Sequence, residues 1–175
     1  MSEADHFGWL IGARSDSQSL LLRLYRFGHG VSNLEDHETA RRLYAHLVGA
    51  AFSLWRAAFL SDSTRQWREI LRGNRGALKF LEKVLRDNAI NYPQDRDTRD
   101  WMGGYYLNSA RFRLVRVRQR LAEIVPESRD SERFKSLDEL DADGTTGRKA
   151  TECWYILHGA TTEAVDQLER LVSRA

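Results

Sequence analysis

The sequence predicts an all-α fold, an up-and-down helical bundle of four long helices plus one or two short ones. Three observations carry that expectation. Apolar residues recur at i, i+3/i+4 and i+7 through long stretches of the chain. Only two of the 175 residues are proline, so few positions break a helix. No stretch of about four to eight residues alternates apolar and polar side chains with the β-branched enrichment of a strand.

The first helix is expected over about Asp16 to Phe27. Ser15, Asp16 and Ser17 offer N-cap chemistry, Gly28 suits the position after the C-cap, and Leu20, Leu21, Leu24 and Phe27 line one face. The second helix, about Asp36 to Leu60, is the most apolar segment. Its polar positions fall on one narrow strip, Glu38, Arg42, His46, Gly49, Ser53 and Arg56. A helix apolar on most sides belongs in the middle of a bundle. A third helical region, Thr64 to Asn88, is weakened between Gly73 and Gly76. Asn91, Tyr92 and Pro93 force an irregular loop, because the residue before proline avoids helical angles.

The fourth helix is expected from Thr98 to Val125, with Asp97 as N-cap and Pro126 as terminator. It carries two apolar stripes. Trp101, Tyr105 and Phe112 form one, and Leu107, Leu114, Val117, Leu121 and Ile124 form the other. Residues 127–145 are polar and read as an exposed connection with one helical turn at Ser136 to Leu140. The last helix is expected over Thr146 to Ser173, where Trp154, Leu157, Thr161, Ala164, Leu168 and Leu171 make a bundle seam. All of this fits one domain over residues 1–175, with 1–14 as a flexible N-terminal segment.

With 42% hydrophobic and 30% charged residues the composition is that of an ordinary globular protein. A net charge of +2 is too small to demand nucleic acid or an acidic membrane as partner. Four of the 27 basic residues are lysine and the rest arginine, the better residue for bidentate phosphate contacts; GC-rich coding produces the same bias. Cys153 is the one cysteine, so no internal disulfide forms. No apolar run reaches the ~20 residues that span a bilayer. Acids precede the short apolar patch Phe7 to Ile11, the reverse of a secretory signal. The expectation is a soluble cytoplasmic protein without a membrane partner.

Glycine-rich phosphate loops, paired-cysteine metal motifs, His-Glu-x-x-His and Gly-x-Ser-x-Gly are all missing, so neither cofactor nor metal is expected. Asp95, Asp97 and Asp100 alternate with Arg96 and Arg99 and suit a helix N-terminus better than a metal. Cys153 reads as a small buried hydrophobe, and His158 beside Trp154 as a boundary histidine.

His46 is the leading candidate for chemistry. Arg42 stands one turn before it, and a nearby cation and desolvation both lower a histidine pKa. That suits a general base; the ordinary alternative is a histidine hydrogen-bonded at a helix crossing. The spacing Arg41-x4-His46 resembles the Arg-x(4–6)-His element of the HEPN ribonucleases, helical bundles that act as dimers. The likeness covers six residues and a fold class. It implies an Arg41 that holds a phosphate and a His46 that activates the 2′-hydroxyl. Here the pair sits early in the chain, whereas that family usually carries it late.

The fourth helix adds Arg113, Arg116 and Arg120 on one face, a solvated or anion-facing stripe. Arg111 and Arg118 point into an apolar arc, so they need partners on another helix or line a pocket. Trp101 and Tyr105 are placed to stack bases or to pack in the core. The leading functional expectation is a non-enzymatic protein-interaction module, a homodimer, with Phe7, Trp9 and Leu10 as contacts. The second is an RNA-binding bundle or metal-independent ribonuclease using Arg41 or Arg42, His46 and the arginine stripe. The third is a small-ligand pocket lined by His46, Ser53, Tyr105 and Arg111.

Overall fold

The computed structural model describes residues 16–28, 37–58, 75, 79, 96–140 and 150–174. Among the described residues the protein is all-α, with no strand. Helix α1 covers 16–28 and α2 covers Glu38–Ala58. Helix α3 covers Arg96–Ile124, a 3-10 turn covers Pro126–Asp130, α4 covers Glu132–Asp138 and α5 covers Ala150–Arg174. The third helical region expected at 64–88 falls almost wholly outside the described residues. So do the N-terminal segment with Phe7, Trp9 and Leu10, and residues 141–149. Helix α3 begins at Arg96, so Asp97 lies inside the helix and is not its cap.

Helix α2 is the centre of the core. Every residue from Leu47 to Ala57 is buried, including Gly49, Ser53 and Arg56 of the polar strip. A second helix must therefore cover even its polar side. That helix is α3, and the contacts fix the register. Gly49 meets Arg113, the Ser53 hydroxyl lies 3.4 Å from that of Ser109, and the Arg56 guanidinium carbon sits 5.8 Å from the Tyr106 ring centre. Each step forward along α2 is matched by an equal step backward along α3, so the two run antiparallel.

Helix α5 closes the core from another side. Its fully buried Trp154 donates its indole N–H to the Leu54 carbonyl at 2.9 Å. Helix α1 runs parallel to α5, held by Arg23, which bonds Asp166 at 2.5 Å and Glu169 at 3.1 Å. Its far end is pinned to α2 by Tyr44, whose hydroxyl donates to the Leu24 carbonyl at 2.9 Å. The same phenol fills the space a Cβ on Gly28 would need, and burial pushes its pKa up to about 12.

The segment expected as an exposed connection corrects the sequence reading. Residues 126–140 double back along α3, and Ser128, Phe134, Leu137 and Leu140 are buried. The Ser131 hydroxyl caps α4 by accepting from the Phe134 N–H at 3.4 Å. This return pass also supplies the partners that Arg111 and Arg118 require. Arg118 pairs with Asp138 at 2.7 Å and lies 5.3 Å from the Phe134 ring centre. Arg111 reaches the Leu140 carbonyl at 3.4 Å.

Candidate anion-binding seam between α2 and α3

At ~100° per residue, α3 divides into three arcs. The middle arc, Leu107, Ala110, Leu114, Val117 and Leu121, is buried in the core. One flank carries Arg111 and Arg118 toward α4. The other carries Tyr106, Ser109 and Arg113 against α2, with Arg116 and Arg120 continuing the same line. One turn beyond the Gly49–Arg113 contact, the register sets His46 opposite Arg116; one turn further it sets Arg42 opposite Arg120.

Two of the arginines along this seam are paired with glutamates. At its outer end Arg42 bonds Glu38 at 2.6 Å and Arg120 bonds Glu123 at 2.6 Å. Inward from them stand His46, Arg116 and Arg113. Among the described residues no carboxylate pairs with His46 or Arg116. Arg116 instead lies over the Phe112 ring, 4.5 Å from its centre, and Phe112 is 58% exposed. Glycine at 49 is what lets the Arg113 side chain lie against α2, because a Cβ there would sit 2.5 Å from the guanidinium carbon.

Burial lowers the His46 pKa, and Arg113 and Arg116 lower it further. Its Nδ1 is buried with no hydrogen-bond partner among the described residues. The imidazole is therefore neutral near pH 7, between two cations. The Arg116 guanidinium beside it, with no carboxylate among the described residues, has a charge that an anion would offset.

Several sequence candidates separate here. Arg41 is exposed and lies ~140° around α2 from His46, so the two residues of the HEPN-like spacing do not share a face. Arg42 shares the His46 face but is tied to Glu38. Arg111 and Arg118 turn toward α4, and Arg111 faces away from His46, which divides the lining expected for a small-ligand pocket. The side chains of Trp101 and Tyr105 lie outside the described residues. Phe112, read as part of an apolar stripe, sits instead on the water side of α3, ~160° from Ala110. Its signal in the sequence was Arg116 one turn later.

Among the described residues, His158 and Cys153 belong to the packing of α5. His158 stacks on Trp154 with ring centres 5.0 Å apart, and burial lowers its pKa. Cys153 is buried. No group of side chains among the described residues is placed to hold a metal ion, and none of the described helices is long and apolar enough to cross a membrane. Comparison with family models, curated proteins and solved structures finds no match.

Proposed function

We propose that this protein is a binding module for a phosphate-bearing polyanion, which it takes along the α2–α3 seam. One observation carries the reading: His46 and Arg116 stand in line with Arg113 and bond no carboxylate among the described residues, while the arginines just outward are each paired with a glutamate. Guanidinium forks match phosphate oxygens, and a neutral imidazole becomes a second donor once an anion raises its pKa. Binding is favoured over catalysis because no described residue orients the His46 ring, and Arg41 is on another face.

Calorimetric titration with inorganic tripolyphosphate at low salt tests the reading. Binding by the wild type and its loss in the Arg113→Ala/Arg116→Ala variant are the expected results. No heat with the wild type refutes it. A homodimer is the second reading, favoured by the exposed Phe112 beside Arg116, since aromatic and arginine side chains anchor protein interfaces.

A further inference from the structure

We infer that the polyanion is a single strand of nucleic acid, and that Phe112 is the platform on which one of its bases stacks. This rests on the polyanion reading and narrows it. Phe112 is one of two large hydrophobic side chains exposed among the described residues; Tyr155 on α5 is the other. Phe112 adjoins Arg116 on the outer margin of the seam. The guanidinium of Arg116, 4.5 Å from the ring centre, covers one face of the ring. An exposure of 58% with one face covered leaves the other face in water.

That arrangement has the two parts that single-strand binding needs. Arg116, which bonds no carboxylate among the described residues, meets a backbone phosphate, and the aromatic face beside it takes a base, because every base presents a π-face. Arg116 belongs to both parts, polarising the ring on one side and meeting phosphate on the other. A duplex keeps its base faces stacked inside, so it engages the cations and not the ring. Tripolyphosphate engages only the cations.

The test uses fluorescence anisotropy of the full chain with three labelled probes: a short single-stranded DNA, its duplex, and an abasic strand of equal length. Wild type should prefer the base-bearing strand to the abasic one by about tenfold. Phe112→Ala should erase that preference, leave abasic binding and tripolyphosphate binding unchanged, and leave the salt dependence unaltered. Phe112→Trp should preserve the preference. Equal wild-type affinity for the abasic and base-bearing strands overturns the single-strand inference and leaves the polyanion reading standing. Failure to bind any probe, tripolyphosphate included, overturns both. Conversion of a wild-type dimer to a monomer by Phe112→Ala, seen by light scattering, assigns the ring to a protein contact and also overturns the inference. Melting curves establish that each variant is folded.

Discussion

Gly49→Ala separates the chemistry of the seam from the stability of the bundle. A Cβ at this position would lie 2.5 Å from the Arg113 guanidinium carbon and 2.8 Å from Nε, so one of the two must move. The obstacle is the far end of a flexible side chain, and Arg113 yields before α3 does. Alanine is favoured over glycine in a helix interior by about 1 kcal/mol. Displacing Arg113 gives back part of that gain through lost packing. The expected Tm is therefore unchanged or raised by up to about 3 °C, on the scale where ~1 kcal/mol moves a domain of this size ~2–4 °C. Binding should move the other way. With His46 neutral at pH 7.5, two guanidiniums meet phosphates, giving a salt slope of about −1.4 on a single strand, at ~0.7 per phosphate. Losing Arg113 halves it to about −0.7. Between 50 and 200 mM salt the wild type should thus weaken about sevenfold and the variant about threefold. Anisotropy titrations across that range and a thermal melt read both quantities. A drop in Tm beyond about 5 °C would mean that Arg113 cannot leave its seat. An unchanged slope would mean that Arg113 touches no phosphate.

The other predictions concern the core and its titration. Phe134→Ala should cost about 3–5 kcal/mol in urea unfolding, the range for deleting a fully buried aromatic ring; a cost below about 1 kcal/mol would show that α4 is not part of the core. Trp154→Phe removes the donor to the Leu54 carbonyl and should cost about 2 kcal/mol; stability equal to wild type refutes that bond. The folded pKa values of His46 and His158 lie below the unfolded value of about 6.5. The unfolded chain therefore takes up protons first, so stability present above pH ~6.5 is lost as pH falls through that value. Urea midpoints at pH 7.5 and 5.5 should show the loss, and His158→Gln should shrink it; an undiminished loss in that variant exonerates His158.

The long helices were legible because their evidence is local. The polar strip of α2, the Leu107 to Leu121 stripe of α3 and the seam of α5 repeat often enough to set period and face. Helix α4 was not legible, because its buried set is only Phe134, Leu137 and Leu140 within a polar stretch. What buries it is chiefly α5, with α3 on its other side through Arg118, and no local pattern reports a distant partner. The need for partners at Arg111 and Arg118 was readable from their placement among leucines. Their identity was hidden, since Asp138 lies in the stretch that reads as solvated. The seam divides the same way. His46 stands out on α2, and Arg113 and Arg116 on α3. The Gly49–Arg113 contact joins them, and it depends on a helix register that sequence spacing alone does not supply.

The two flanks of α3 place arginine against different neighbours. On the α4 side each arginine meets one acceptor, Asp138 for Arg118 and the Leu140 carbonyl for Arg111, while Arg111 Nε and Arg118 Nη1 stay buried without a partner among the described residues. On the α2 side Arg116 lies over an aromatic ring and bonds no carboxylate among the described residues, burial first and then Arg113 and Arg116 keep His46 neutral, and part of the Arg113 side chain lies against Gly49. Stability alone would favour a carboxylate in place of His46, which would pair with Arg116, and an alanine in place of Gly49, which would strengthen the helix. Sequences break such local rules chiefly where something other than folding sets the residue. Replacing His46 with glutamate should then leave the fold intact and abolish tripolyphosphate binding, because the carboxylate would occupy the cations that the anion needs. Retained binding in a folded His46→Glu protein would place the anion elsewhere and leave the cluster without a function.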